Sequence, residues 1–280
     1  MSIFDQMLSR YEIRTDDDYI NAQHEVMQQV TLAGLYRGGF FNKAAFYGGT
    51  CLRIFYGLQR FSEDMDFSLI QSDADFKLED YFEPIKIEFN ALGREVVINK
   101  KEKKNQTNVE SAFLKDDTAI YNVQFRTERN IKIKIEVDIN PPMGFSTEHK
   151  FLLLPFSFMA RCYTLPDLYA GKMHALLFRN WKNRVKGRDW YDFEWYVRNS
   201  TALNFDHLRQ RTSQFGSLPE GELTQGNFLQ LLKDKISKTN IEMVKADVMP
   251  FIKNPGEMDI WSAEYFIHLA GLIQFENPGK

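Results

Sequence analysis

Hydrophobic residues recur along this 280-residue chain with two different periods. In the first half, several segments alternate apolar and polar residues, which is typical of strands with one buried face. Residues 131–140 alternate throughout, and the β-branched and aromatic residues of 94–100 and 119–127 also predict strands. From Phe151 onward the spacing becomes helical, and the first of these helices is predicted to begin near Thr164. The pattern therefore predicts an α+β protein, with a core domain at residues 1–160 and a helical lobe at residues 161–280.

The segment Asp64–Phe67 alternates acidic with apolar residues. A strand turns successive side chains to opposite faces, so both carboxylates face one side while Met65 faces the core. Two residues of strand separate Asp64 from Asp66 by roughly 6.6–6.8 Å, and side-chain freedom lets their oxygens converge on divalent ions about 3.5–4 Å apart. Two carboxylates this close repel each other unless a cation lies between them. The segment therefore indicates a metal site for phosphoryl chemistry.

A Gly48-Gly49-Thr50 turn opens a short helical pattern within twenty residues of these acids. Glycine lets the backbone approach a ligand closely, and the free N–H groups of a helix start favour an anion. Thr50 or Ser62 could add a hydroxyl donor to a phosphate. Either feature alone is common in tight turns and solvated loops. Their order and proximity indicate a nucleotide site.

The segment 131–140 adds further candidate ligands. Its apolar residues occupy one face, and Lys132, Lys134, Glu136 and Asp138 occupy the other. If this strand lies beside the Asp64–Asp66 strand, Glu136 or Asp138 becomes a third carboxylate over the same metals. The pattern does not choose between the two, and an ordinary half-exposed strand is the alternative.

The second half contains a lysine, an acid pair and a basic segment. Lys172 lies at the edge of the apolar stripe of the helix that begins near Thr164. Asp189 and Asp192 share a helix face at i, i+3. Residues 179–188 carry five positive charges in ten positions. These charges suit a nucleic-acid acceptor or the triphosphate, and the alternative is that they pair with the acids at the helix start.

Composition limits the class of protein. A net charge of −3 excludes a broadly basic nucleic-acid binder but permits a local basic patch. Cys51 and Cys162 lie in apolar surroundings without metal-ligand spacing, which is typical of reduced thiols. The N-terminus lacks the features of a signal peptide, and the longest apolar run, 151–160, is interrupted by a proline and too short to span a bilayer. We therefore expect a cytoplasmic protein. Neither a Ser-His-Asp or Cys-His pattern nor a Walker-type phosphate loop is recognisable.

Four motifs follow one another along the chain. They are Phe46-Tyr47-Gly48-Gly49-Thr50-x-Leu52-Arg53, Arg60-Phe61-Ser62-Glu63-Asp64-x-Asp66-Phe67, Ala170-Gly171-Lys172-x-His174-Ala175-Leu176 and Gly187-Arg188-Asp189-x-Tyr191-Asp192. Together they resemble the AbiEii/AbiGii-type nucleotidyltransferase toxins of bacterial toxin–antitoxin pairs, over roughly residues 20–200. The resemblance implies a polymerase-β-like nucleotidyltransferase core with a mixed β-sheet, followed by a C-terminal helical lobe.

The resemblance also implies ligands for the nucleotide and its metals. The implied nucleotide-binding residues are Gly48, Gly49, Thr50, Arg53, Ser62, Lys172 and Arg188. Asp64 and Asp66 would bind Mg²⁺ or Mn²⁺. The third metal ligand would be Glu136 or Asp138, and Glu136 better resembles the Lys-x-acid strand pattern of the family.

The same resemblance implies catalytic roles in the helical lobe. Lys172 would neutralise phosphate charge in the transition state, and Asp189 would orient the acceptor or Lys172. Asp192 belongs to the same motif as Asp189. Lys172 and Asp189 are therefore expected to contribute to the cleft of the core domain.

The function that the resemblance implies is Mg²⁺-dependent transfer of a nucleoside monophosphate from an NTP to an acceptor hydroxyl. The expected acceptor is the 3′ end of tRNA, whose modification would inhibit translation and growth. The expected partner is a winged-helix antitoxin encoded next to the toxin. Two alternatives stay open: transfer to a protein hydroxyl, and a catalytically decayed NTP-binding module that acts through a partner.

Overall fold

The computed structural model describes residues 1–100, 118–125, 132–179 and 185–276. Parts of two predicted strands (126, 127 and 131) and of the basic segment (180–184) lie outside the described residues. The chain divides into two compact units. The first comprises Met1–Gly57, Phe61–Pro141 and Thr147–Cys162, and the second comprises Leu58–Arg60, Pro142–Ser146 and Tyr163–Lys280.

The first unit is built on a mixed sheet of seven strands. Its elements are α1 (Ile3–Leu8), α2 (Asp16–Arg37), β1 (Ala44–Tyr47), α3 (Gly48–Tyr56), β2 (Met65–Leu69), α4 (Phe82–Ala91), β3 (Val96–Lys100), β4 (Thr118–Phe125), β5 (Lys132–Asp138), β6 (Thr147–Leu152) and β7 (Phe158–Tyr163). The strand order is β3-β4-β5-β2-β1-β7-β6. In the centre, β2 pairs antiparallel with β1 and parallel with β5.

The alternation of β5 sets its two faces. Ile133, Ile135 and Val137 are fully buried, while the intervening polar residues are partly exposed. Phe67 of β2 belongs to the same core, where its ring stacks on Phe46 at a centroid distance of 4.8 Å. The apolar face therefore holds the sheet to the core, and the opposite face is left for polar side chains.

Helix α2 begins and ends as its sequence predicts. Thr15 caps its N-terminus by accepting a hydrogen bond from the Asp18 N–H, and the Asp18 carboxylate reaches back to the Thr15 N–H. Gly38 follows its last turn. Three polar residues at a spacing of three, Glu25, Gln28 and Thr31, are nevertheless buried in this helix.

The prediction of helical structure from Phe151 onward was wrong for its first part. Residues 147–152 and 158–163 form β6 and β7, and the first helix of this region begins only at Leu165. The apolar residues misled the interpretation because an apolar run alone does not separate strand from helix. In addition, Phe151 points into solvent with 69% of its surface exposed.

The second unit is mainly helical. Its elements are α5 (Leu165–Phe178), α6 (Gly187–Arg198), β8 (Ala202–Leu203), α7 (Phe205–Gln214), α8 (Gln225–Lys238), α9 (Ile241–Val248), α10 (Ala263–Gly271) and β9 (Gln274–Phe275). The two short strands pair in parallel. Asp167, in the first turn of α5, accepts hydrogen bonds from the Ser146 N–H and the Thr164 hydroxyl. These bonds fix the start of the helix that carries Lys172.

Candidate active site

The end of β1 and the start of α3 bring Gly48 against Asp66. Strands β1 and β2 place Tyr47 opposite Asp66, and α3 begins at the next residue. Gly48 has a φ of +81°, and a Cβ added there would lie 3.2 Å from Asp66 Cβ and Cγ and closer still to Oδ2. Glycine is required here both by the backbone conformation and by the approach of the carboxylate.

Thr50 connects α3 to the strand that carries the acids. The side chain is fully buried, and its hydroxyl donates a hydrogen bond to the Asp64 carbonyl oxygen. The hydroxyl that the sequence suggested for a phosphate is therefore directed to the backbone in this structure. What remains for an anion at this turn is the N-terminus of α3 itself, where the N-cap residue supplies no side-chain hydrogen bond.

Arg53, predicted as a nucleotide ligand, lies in an ion pair. Its Nε is 2.8 Å from Glu25 Oε2, and its guanidinium lies over the Phe61 ring, 4.7 Å from the centroid. The Tyr11 hydroxyl donates to the other oxygen of Glu25 at 3.0 Å. Arg53 thus joins α3 to α2.

Gln28 was not identified from the sequence. Its Nε2 donates to the carbonyl oxygens of Ser62 and Glu63, both at 3.0 Å, and its side chain is fully buried. These bonds hold the backbone immediately before Asp64. The one sign of this role in the sequence was the spacing of Glu25, Gln28 and Thr31, which puts three polar residues on one face of α2.

The pairing of β2 with β5 distinguishes the two candidates for the third carboxylate. In the parallel register Asp66 lies opposite Glu136, whereas Asp138 lies opposite Ser68. Directly paired residues of adjacent strands point to the same face. Asp138 Oδ1 accepts a hydrogen bond from the Asn140 N–H at 3.1 Å. Glu136 is therefore the carboxylate beside Asp66.

Lys134 supplies a positive charge to this acidic face. It forms an ion pair with Glu136. Burial favours the neutral amine, but the hydrogen bond and charge of Glu136, together with the charges of Asp64 and Asp66, raise the pKa of Lys134. The lysine therefore stays protonated and offsets part of the mutual repulsion of the acids.

The carboxylates of Asp64, Asp66 and Glu136 are oxygen ligands of the kind that a hard divalent cation prefers. Within the described residues, no group of three or more His, Cys, Asp or Glu side chains is arranged to hold a metal ion. Mg²⁺ in nucleotide sites is commonly held by one or two carboxylates together with the substrate phosphates. The adjacent Asp66 and Glu136, with Asp64 two residues before Asp66, fit that requirement.

In the second unit, Lys172 is held between two aspartates of α6. Its Nζ lies 2.7 Å from Asp189 Oδ1 and 2.8 Å from Asp192 Oδ2. Burial disfavours the ammonium form, but the two carboxylates raise the pKa of Lys172 overall. The ammonium group is thus charged and fixed in direction.

Arg60 completes this network, a role that its sequence did not predict. Its Nε and Nη2 donate to the two oxygens of Asp192, each at 2.6 Å. Burial favours the neutral acid, but the charges of Arg60 and Lys172 lower the pKa of Asp192. Arg60 is the first residue of the Arg-Phe-Ser-Glu-Asp motif, but nothing in the neighbouring sequence indicated a partner 132 residues away.

Gly187 and Arg188 fix the start of α6. The Gly187 N–H donates to Asp247 Oδ2 at 2.8 Å, and a Cβ at Gly187 would lie 2.8 Å from Val248 Cγ2. The glycine is therefore needed for close packing against α9. The Arg188 guanidinium lies over the Phe251 ring at 4.1 Å.

The structure therefore brings the predicted site residues together in two groups. The first unit joins Gly48, Asp66 and Glu136, with Lys134 as an added partner. The second unit joins Lys172, Asp189 and Asp192, with Arg60 as an added partner. In the parts of the chain that the structure describes, none of the helices combines the length and apolar composition that crossing a bilayer needs.

These features define the class of protein. A mixed sheet with an acid strand beside a Gly-Gly helix start, followed by a helical lobe, is a polymerase-β-like nucleotidyltransferase fold. The family model described as "Nucleotidyl transferase AbiEii toxin, Type IV TA system" matches residues 30–267. The chain belongs to this family of nucleotidyltransferase toxins, which confirms the resemblance found in the sequence.

Two solved structures share the fold. MenT4, a nucleotidyltransferase toxin from Mycobacterium tuberculosis, superposes with a TM-score of 0.60 at 14% identity, covering 95% of this chain and 87% of MenT4. JHP933 from Helicobacter pylori gives a TM-score of 0.52 at 18% identity, covering 90% of this chain and 89% of JHP933. A search of the curated protein sequences gave no match.

Proposed function

We propose that this toxin transfers a nucleoside monophosphate from an NTP to an acceptor hydroxyl, with Mg²⁺ or Mn²⁺ as cofactor. The observation that carries the proposal is the placement of Asp66 between Gly48 and Glu136. It brings a helix N-terminus, which favours phosphate, next to carboxylates, which favour a divalent cation. A triphosphate bound through a metal needs both.

The turn at the start of α3 would hold the triphosphate. The first N–H groups of α3, those of Gly48 and Gly49, donate to phosphate oxygens, and the partial positive charge of the helix end favours their negative charge. Thr50 keeps this turn attached to the Asp64 backbone. Ser62, Arg53 and Arg188 remain further candidates for contact with the nucleotide.

Asp64, Asp66 and Glu136 would hold the divalent ions, with Asp138 as the alternative third ligand. Bound ions would supply charge neutralisation at the attacking and leaving oxygens of an in-line displacement. The role of the protein would be to align the acceptor hydroxyl with the α-phosphate and to stabilise the developing charge, without forming a covalent intermediate.

Lys172 would neutralise charge on the phosphates during transfer. Its support is that the amine is mostly buried, protonated and fixed by Asp189 and Asp192. A charge that is already oriented costs no reorganisation when negative charge develops. Asp189 would serve as a positioning residue for Lys172, and Asp192 would do so together with Arg60.

The proposed acceptor is the 3′ end of tRNA, and the proposed consequence is inhibition of translation in the cytoplasm. Family membership supports a toxin with a cognate antitoxin, for which we propose a winged-helix protein encoded adjacently. The basic residues between 179 and 188 suit an RNA acceptor. Transfer to a protein hydroxyl is the second candidate.

The test is incubation of the protein with α-labelled NTPs, Mg²⁺ and total RNA plus cell protein. We expect label in the tRNA band, and a loss of at least about a hundredfold for Asp66→Asn, because the metals contribute several kcal/mol to the transition state. Asp17→Asn, at an exposed position of α2, is the matched control and should retain activity. Sequencing of RNA 3′ ends after induced expression identifies the added nucleotide.

Other outcomes separate the alternatives. Label in a protein band instead of tRNA indicates a protein acceptor. Nucleotide binding without transfer, combined with toxicity that survives Asp66→Ala, indicates a decayed module that acts through its partner. Equal transfer by wild type and Asp66→Asn contradicts the proposed site.

A further inference from the structure

A buried arginine in the second unit has no counter-charge among the residues that the structure describes. Arg211 of α7 is 9% exposed. Among the described residues it forms no ion pair, and its buried Nε has no hydrogen-bond partner. The guanidinium carbon lies 5.3 Å from the centre of the Phe215 ring and 3.9 Å from the position of a Cβ at Gly171.

His174 and His207, the two histidines near Arg211, add no negative charge. His174 of α5 is buried, and its Nε2 lies 3.1 Å from Ser217 Oγ. Burial, together with the charges of Arg211 and Arg179, lowers the pKa of His174 to about 2. Burial and Arg211 likewise lower the pKa of His207 to about 3. Both rings are therefore neutral, and neither supplies a counter-charge to Arg211.

A buried charge without a partner is costly, and two local effects offset only part of that cost. Arg211 is near the C-terminal end of α7 (Phe205–Gln214), where the helix dipole favours a cation. Its cation–π contact with Phe215 engages the face of the guanidinium. Neither effect provides an acceptor for the buried Nε–H, which lies in the plane of the guanidinium with the other donors that bind oxyanions.

We propose that Arg211, His174 and Ser217 form a binding site for a phosphate group, at the contact of α5 with α7. Arginine presents a planar fork of donors that matches phosphate oxygens, and the Ser217 hydroxyl and the His174 ring add two hydrogen-bonding groups. Gly171, Phe215 and Ser217 are only partly buried, so the cluster lies near the surface. Gly171 leaves one side of the guanidinium uncovered by a side chain.

This site is distinct from the Lys172 network. The Lys172 ammonium is already bound by Asp189 and Asp192, whereas Arg211 has no carboxylate among the described residues. The proposal does not depend on nucleotidyl transfer, because phosphate binding can be measured without NTP or a divalent ion. The phosphate group could belong to a monoester or to the phosphodiester backbone of RNA.

Calorimetric titration of the full chain with inorganic phosphate, against chloride at equal ionic strength, tests the site. We expect binding by wild type and at least about a tenfold weaker binding by Arg211→Met, which removes the charge-assisted hydrogen bonds. Arg209→Met is the matched control, because Arg209 is on the same helix, is exposed and pairs with Asp206. It should bind phosphate like wild type.

A second readout keeps the test independent of folding. Phosphate should shift the NMR signals of the His174 ring in wild type and in Arg209→Met but not in Arg211→Met. Because Arg211→Met removes an unpaired buried charge, its melting temperature without phosphate should equal or exceed that of wild type. If that variant does not fold, Ser217→Ala takes its place and should weaken phosphate binding with the fold retained.

Competition identifies the source of the phosphate. Displacement of inorganic phosphate by an oligoribonucleotide with a 5′-hydroxyl indicates a phosphodiester ligand, and displacement only by a nucleoside monophosphate indicates a monoester. The proposal is overturned if wild type binds phosphate no better than chloride, or if Arg211→Met binds it as wild type does.

Discussion

Arg60 and Asp192 form a bidentate ion pair in the interior of the second unit, with two N–O distances of 2.6 Å and side-chain exposures of 2% and 0%. Asp192 also accepts from Lys172. One carboxylate therefore neutralises an arginine and fixes the direction of a lysine. The Gly187-Arg188-Asp189 motif is followed by Asp192, and this arrangement gives that second aspartate a role of its own.

Replacement of Asp192 by Asn should destabilise the protein strongly. The change leaves the buried Arg60 without its counter-charge, and breaking such a pair typically costs about 3–5 kcal/mol. Urea denaturation measures the loss. Glu12→Gln is the control, because Glu12 and Arg14 form an exposed pair that should contribute less than about 1 kcal/mol. Similar losses for the two variants would show that Asp192 is not structurally coupled to Arg60.

Replacement of Gly48 by Ala should reduce nucleotidyl transfer by about a hundredfold, because the new Cβ displaces the Asp66 carboxylate and small misplacements of catalytic groups are costly. Gly57→Ala is a matched control. Gly57 also has a φ of +81°, at the other end of α3, but its Cβ would meet nothing within 4 Å. Both variants bear the same backbone strain of about 1–2 kcal/mol. Equal activity of the two would contradict the role of the Gly48–Asp66 contact.

Replacement of Lys134 by Met should destabilise the protein in the absence of divalent ions by about 1–2 kcal/mol, since it removes the cation that offsets three carboxylates. Added Mn²⁺ should stabilise this variant more than wild type, as measured by thermal unfolding in EDTA and with Mn²⁺. Lys132→Met, at an exposed position of the same strand face, is the control. An unchanged response to Mn²⁺ in Lys134→Met argues against an ion beside Glu136.

Stability should fall as the pH drops below about 6.5. The folded state keeps His174 and His207 neutral, with pKa values of about 2 and about 3, whereas an unfolded histidine has a pKa of about 6.5. Between these values the unfolded state binds more protons, so each buried histidine lowers the unfolding free energy by about 1.4 kcal/mol per pH unit.

The variant His207→Phe isolates one of these contributions. Urea denaturation at pH 6, 5 and 4 in chloride buffer should give a slope shallower than that of wild type by about 1.4 kcal/mol per pH unit. His149→Gln, which changes an exposed ring, should keep the wild-type slope. A slope that does not change in His207→Phe would mean that the ring is protonated in the folded state.

The local sequence pattern was sufficient to predict an element where the alternation of apolar and polar residues matched the two faces of a strand. The alternation in β5 predicted the buried Ile133 and Ile135 and the polar Glu136, because a strand exposes every second residue. The acid strand was predicted from the same period. The helix predicted to begin near Thr164 does begin at Leu165. The helical spacing assigned to the residues before it was wrong, because they form β6 and β7 at and near a sheet edge, where Phe151 faces solvent.

The sequence by itself determined the family, the acid strand and the Gly-Gly helix start, because each of these depends on residues close together in the chain. Only the tertiary structure decided that Glu136 lies beside Asp66, that Thr50 binds the Asp64 backbone, and that Arg60 neutralises Asp192. These relationships depend on strand register and on contacts between distant segments. The pattern of residues along the chain does not reveal these relationships, since the same side chains in another strand register would contact different partners.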